Sequence, residues 1–261
     1  MPFMTASDGC SIFYRFDGDE GQPVVMLSNS LGSTHEMWQP QMAALSERYR
    51  VLRYDNRGHG QSEAPPAPYT IDRIATDARE LITELGVGPV LWCGVSMGGM
   101  VGMWLGANAP ELLKRAVLAN TAPLIGSPDI WNQRLAMIES QGMTALSKVV
   151  IQRWLTAPYA AEHPDTAARL TAMIANTPPQ GYAGTASAIR DMDLRDLLPR
   201  IPVPVLVIAG SQDQATTVAM GEEIVAGVKG ARFAILEAAH LSNIEQAAEF
   251  NKLIRNFFDA A

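Results

Sequence analysis

Two spacings of apolar residues recur through the 261 residues. Short apolar runs of four to six residues form the first set: Pro23–Ser28, Arg50–Asp55, Pro89–Cys93, Ala116–Ala119, Val205–Ala209 and Phe233–Leu236. Runs of this length, bounded by Gly, Pro or polar turn residues, predict strands buried inside a sheet. Cys10–Phe16 is also strand-like, and Gly18 and Gly21 break the chain after it. The second set repeats at helical spacing. Ile71, Ile74, Ala75, Ala78, Leu81, Ile82 and Leu85 share one helix face, and Gly86 follows where a C-terminal cap belongs. Met37–Leu45 and Met97–Asn108 have the same character, the latter ending before Pro110. Ile224 falls on a further helix, and Leu241–Phe258 is predicted as one last helix.

Strands that alternate with helices predict a mostly parallel sheet covered on both faces. One region departs from the alternation. Between Pro123 and Leu198 helical spacing appears at Trp131–Ile138, Ala145–Leu155 and Thr166–Ile174, with no convincing strand, and Pro178, Pro179 and Pro199 punctuate it. The expected organisation is a core of residues 1–122 and 199–261 with a helical cap, 123–198, inserted between two sheet strands.

Composition narrows the class. Hydrophobic residues make up 48% and charged residues 18%, which fits a globular chain. A net charge of -7 argues against nonspecific binding to nucleic acid or to an anionic membrane. No apolar run approaches the ~20 residues needed to span a bilayer. The start, Met1-Pro2-Phe3-Met4-Thr5, lacks the charged and apolar regions of a signal peptide, so a cytoplasmic location is expected. Cys10 and Cys93 do not make a disulfide framework, and Cys93, inside an apolar run, reads as a buried thiol. His35, His59, His163 and His240 are dispersed, and no local spacing suggests a metal site.

The candidate chemistry lies where strands end. Gly94-Val95-Ser96-Met97-Gly98 matches G-x-S-x-G, with a predicted strand before it and an apolar helix after it. This is the setting of a nucleophile elbow, in which small residues allow a sharp turn that lifts the serine hydroxyl out of the sheet. A serine hydroxyl needs a base at neutral pH. Asp213 follows the run Val205–Ala209, and His240 follows the run ending at Leu236. Positions just past the C-terminal ends of strands are where sheet enzymes place functional groups. Histidine can take the serine proton and return it to a leaving group, while the aspartate orients the imidazole. Ser96, Asp213 and His240 are therefore the candidate triad.

With these motifs the chain resembles the α/β-hydrolase superfamily along nearly its whole length. Asp55-Asn56-Arg57-Gly58-His59-Gly60-Gln61-Ser62 is similar to the superfamily's turn after an early strand, and its role is assigned as structural, so His59 is not the base. Ser28-Asn29-Ser30-Leu31-Gly32 stands where many relatives carry His-Gly. The resemblance implies an oxyanion hole built from the amides of Leu31 and Met97. A serine in the elbow disfavours the haloalkane dehalogenase and epoxide hydrolase variants, which carry aspartate there.

Leu27–Gly32 followed by Met37-Trp38, the cap's Arg153-Trp154-Leu155-Thr156, and Ala239–Gln246 look like the 3-oxoadipate enol-lactonases of aromatic-acid catabolism. That resemblance implies a small anionic lactone as substrate, an acyl-enzyme on Ser96, and no cofactor. The substrate's carboxylate would need a countercharge. Arg134, Arg153, Arg169, Arg190 and Arg195 are the cap's candidates. Arg134 comes first because it lies one helical turn from Trp131, so that an aromatic wall and a guanidinium can face one ligand. Trp131, Arg134 and Trp154 are the candidate substrate-binding residues. The same triad also fits another carboxylesterase or lactonase, a cofactor-free perhydrolase, or a small-molecule receptor of this fold.

Overall fold

A computed structural model describes residues 2–260. The apolar runs pair into one eight-stranded sheet of order β1-β2-β4-β3-β5-β6-β7-β8. Its strands are β1 (Phe3–Thr5), β2 (Ser11–Asp17), β3 (Val24–Ser28), β4 (Arg50–Tyr54), β5 (Val90–Val95), β6 (Leu113–Ala119), β7 (Val205–Gly210) and β8 (Arg232–Leu236). From β4 to β8 every neighbouring pair is parallel, while β1 and β2 join antiparallel at one edge. The central strands β5 and β7 are buried at every position, which is why their sequences are continuous apolar runs rather than alternating ones.

The flanking helices are α1 (Gln39–Ser46), α2 (Ile71–Glu84), α3 (Met97–Asn108), α8 (Val218–Gly227), α9 (Ser242–Glu245) and α10 (Ala247–Phe258). In α2 the Thr70 hydroxyl accepts from the Arg73 amide at the N-terminus, and Gly86 follows the C-terminus with φ +60°. Its buried face is the predicted one from Ile71 to Ile82, with Asp77 added, while Leu85 lies half-buried just past its end. That carboxylate is held by Arg57, at 2.5 Å from Nε and 2.7 Å from Nη2, and so ties the turn after β4 to α2.

The insertion between β6 and β7 consists of α4 (Pro128–Trp154), α5 (Ala157–Glu162), α6 (Pro164–Ala175) and α7 (Pro179–Asp191). The predicted pieces Trp131–Ile138 and Ala145–Leu155 are the two arms of α4, which is interrupted at Gly142 (φ 75°, ψ 175°). Helix α7 departs from the reading of Pro178-Pro179 as punctuation, since Pro179 occupies the first turn, where its fixed φ suits a helix start.

The predicted single helix Leu241–Phe258 is corrected to two, α9 and α10, separated at Gln246 (φ -120°, ψ 44°). Local bonds compete there with helix continuation. Gln246 donates from Nε2 to the Glu237 carbonyl at 3.0 Å, and the Glu245 carboxylate turns toward Ala239. Cys10 and Cys93 are both buried free thiols, and burial pushes Cys93 well above the ordinary thiol range. Among the described residues no helix is long and apolar enough to cross a membrane.

Candidate active site

Ser96 sits between β5 and α3 with φ 56° and ψ -114°, a conformation that a side-chain-bearing residue rarely adopts. The surrounding glycines make it possible. A Cβ on Gly94 would lie 2.0 Å from the Gly98 carbonyl oxygen, and one on Gly98 would lie 2.1 Å from the Ser28 carbonyl oxygen. Either methyl would force the turn open. The elbow is pinned further by the Ser96 amide to the Ala119 carbonyl at 2.9 Å and by the Thr121 hydroxyl to the Ser96 carbonyl at 2.7 Å.

Asp213 follows β7 and His240 follows β8, and the fold brings them together. His240 Nδ1 lies 2.8 Å from Asp213 Oδ2. Asp213 also accepts from the Ala215 amide (2.8 Å), the Thr216 amide (3.0 Å), the Thr216 hydroxyl (2.7 Å) and Asn120 Nδ2 (3.1 Å). Burial alone would raise this carboxyl, but the adjoining His240 imidazole and the hydrogen bonds from His240 and Thr216 outweigh it. They hold Asp213 well below the usual carboxylate range. An ionised Asp213 requires the proton on Nδ1, which leaves Nε2 with its lone pair.

Sequence reasoning did not single out Asn120 or Thr216. Asn120 follows β6 with φ 46°; its amide group donates to both Asp213 and the Ala239 carbonyl, and its oxygen accepts from Ser242. An Asn after a strand is an ordinary turn residue in sequence. Only the sheet order, with β6 beside β7 and β7 beside β8, puts it under the acid and base loops.

The turn Ser28–Gly32 packs against the elbow: the Gly98 amide donates to the Asn29 carbonyl at 3.1 Å. The motif residues Met37 and Trp38 shape this turn. Trp38 Nε1 donates to Asn29 Oδ1 (2.9 Å), and the Ser30 amide points at Met37 Sδ (3.4 Å). His59 completes the support. Its Nε2 accepts from the Gly32 amide at 3.0 Å and its Nδ1 faces the Arg57 carbonyl at 3.1 Å. Complete burial lowers the His59 pKa, so the ring is neutral and both bonds fit one tautomer. Its position supports the structural assignment and leaves His240 as the imidazole facing the cavity. Among the described residues, no hydrogen bond engages the amides of Leu31 and Met97, the two expected oxyanion donors.

Ser96, His240 and Leu31 line one cavity of about 250 Å³ whose roof comes from the cap. The candidate residues Trp131, Arg134 and Trp154 all line it, as do Arg153 and Tyr182. The Arg134 guanidinium stacks 4.8 Å from the Trp131 ring centre, the shared face expected from their spacing. Tyr182 is buried over the oxyanion turn: a Cβ on Gly32 would meet its ring at 3.1 Å. Burial pushes the Tyr182 phenol up and the nearby Arg134 charge pulls it back. The other cap arginines lie elsewhere. Arg169 faces a groove with Thr34 and Glu36, Arg190 pairs with Asp191, and Arg195 pairs with Asp193.

The family model described as alpha/beta hydrolase fold matches residues 23–247. The chain is 38% identical to 3-oxoadipate enol-lactonase 2 of Acinetobacter baylyi, over 96% of this chain and 94% of that protein. It is 35% identical to 3-oxoadipate enol-lactonase 1 of the same organism, over 97% and 95% respectively. The crystal structure of the enol-lactonase from Burkholderia xenovorans LB400 superposes with a TM-score of 0.97 at 42% identity, covering 99% of this chain and 100% of that one.

Proposed function

The chain belongs to the alpha/beta hydrolase fold family, is related to enol-lactonases, and on that premise we propose that it opens 3-oxoadipate enol-lactone to 3-oxoadipate. One observation carries the substrate class. Among the described residues, the cavity that holds Ser96 and His240 is lined by two guanidiniums, Arg134 and Arg153, and by no carboxylate. Among the described residues neither arginine forms an ion pair. In a chain of net charge -7, such a cavity favours a small anion over a neutral ester.

The chemistry then follows from the geometry. Ser96 Oγ attacks the lactone carbonyl as His240 Nε2 takes its proton, and the amides of Leu31 and Met97 receive the developing oxyanion. Collapse breaks the ring C–O bond. The departing enol oxygen takes the proton from His240, and the freed enol tautomerises to the ketone. His240 then deprotonates water, which attacks the acyl carbon and releases Ser96 and a dicarboxylate. Ring opening leaves the acyl and enol ends on one carbon chain, and hydrolysis of the acyl-enzyme adds a second carboxylate, so the cap must hold a substrate whose charge doubles during turnover. Arg134, stacked on Trp131, anchors the original carboxylate in this reading. The test is a panel of lactones and esters that includes the enol-lactone of 3-oxoadipate. Highest kcat/KM on that lactone is expected, and faster turnover of neutral esters would overturn the substrate.

A further inference from the structure

Two motifs noted separately in the sequence, Arg153–Thr156 and Ala239–Gln246, meet in space through one carboxylate. Glu245 ends α9, and its two oxygens face different segments. Oε1 accepts from the amide of Ala239, the residue before His240, at 2.8 Å. Oε2 accepts from the Thr156 hydroxyl at 2.6 Å and the Thr156 amide at 3.2 Å. A backbone bond closes the ring, from the Leu241 amide to the Trp154 carbonyl at 3.0 Å. The residues on both sides of His240 are thus tied to the segment that leaves the cavity wall at Arg153 and Trp154.

We infer that Glu245 is a positioning residue that sets His240 in register with the cap wall against which substrate is seated. This rests on His240 acting as the base. The carboxylate is chemically specific to the task. Three donors on two segments need an acceptor at each end, and a carboxylate has one at each oxygen. A glutamine in the same place has a single acceptor oxygen and turns its NH2 toward a donor on the other side. A helix cap for α5 does not require Glu245, because the Thr156 hydroxyl already accepts from the Tyr159 amide at 3.3 Å. The bond to Ala239 likewise lies outside any helix and adds nothing to the cap's own packing.

The two arms separate by mutation. Glu245→Gln disrupts the clasp, and Thr156→Val cuts the hydroxyl arm on the cap side together with that hydroxyl's cap on α5, whose cost is read from the thermal melts. p-Nitrophenyl acetate, a small neutral ester, reports the triad without needing the cap's arginines. With Glu245→Gln we expect kcat to fall about 10- to 100-fold on both the ester and the enol-lactone with KM within about twofold, since small misplacement of a catalytic group costs on this scale. With Thr156→Val we expect a loss on the lactone of roughly 10-fold and an ester rate within about twofold of the parent. The double variant should be no slower on the lactone than Glu245→Gln alone, because both changes open one clasp. Rates are taken per folded molecule, with folded fraction from thermal melts. Parent-like ester turnover by Glu245→Gln overturns the inference. So do additive losses in the double variant, or an ester rate that falls equally in Thr156→Val. A parent enzyme that turns over the ester but not the lactone overturns only the proposed substrate, and the ester arms still decide the role of Glu245.

Discussion

The cavity has a floor and a roof built on different principles. On the floor, the reacting groups are held by close backbone contacts and by convergent hydrogen bonds. Ser96 is locked by the contact of Gly94 with Gly98 and of Gly98 with Ser28, and Asp213 is gripped by four donors besides His240. On the roof, Arg134 is half-buried and rests on the Trp131 ring, which is itself held by one bond from Nε1 to the Ile125 carbonyl at 2.9 Å. The arm that carries them lies between two glycines of positive φ, Gly126 and Gly142. The difference separates two duties. On the proposed function, reaction type belongs to these turns and substrate choice to the cap side chains Trp131 and Arg134.

The largest effect should therefore come from the floor. Ser96→Ala removes one hydroxyl and adds no atom to the turn, so the melting temperature should stay close to that of the parent. Hydrolysis should drop by about 10⁴- to 10⁶-fold on every substrate alike. A variant that keeps most of the parent rate would take Ser96 out of the mechanism and end the division of duties proposed here. Asp213→Asn should come next, with a loss near ~10⁴ in kcat. The amide keeps the shape but favours the wrong imidazole tautomer. Because Asp213 is held far below neutral pH, its own titration should contribute no limb to the pH–rate profile between about pH 5 and 8. A silent Asp213→Asn would move the third role to another residue.

The same contrast explains what could be read before the fold was seen. The floor was legible because its chemistry is sequential: strand, G-x-S-x-G, helix, then an acid and a histidine each after a later strand. The bounds of α3, Met97–Asn108, coincide with the predicted ones. The roof was legible only in part. Helix α7 escaped because Gly181 and Gly184 weaken its helical pattern, yet both are required by tertiary contact. A Cβ on Gly181 would lie 2.1 Å from the Gly58 carbonyl oxygen, and one on Gly184 would lie 2.7 Å from the Tyr69 ring. Tyr182, between them, was missed with the helix that carries it. Asn120 was missed for a different reason, since its partners Asp213, Ala239 and Ser242 are distant in sequence and are assembled by strand order.

The smallest of these effects tests the roof directly. Arg134→Met keeps an unbranched apolar stem beside Trp131 but removes the guanidinium, and with it the charge and the stacking on the ring. A guanidinium–carboxylate contact is charge-assisted and contributes ~1.5 to 3 kcal/mol. The expected loss in kcat/KM on the anionic lactone is accordingly roughly 10- to 100-fold. On p-nitrophenyl acetate the rate should stay within about twofold, because the floor is untouched and the ester has no charge to anchor. The split between the two substrates is the quantity to measure, and each pattern has a distinct meaning. Equal losses on both would say that Arg134 supports the cap's packing, and that the floor depends on the roof after all. No loss on either would leave Arg153, the other guanidinium of the cavity, as the residue to replace next. A loss on the lactone alone, with an unchanged melting temperature, would place substrate selection in a single cap side chain and leave the reaction to the sheet.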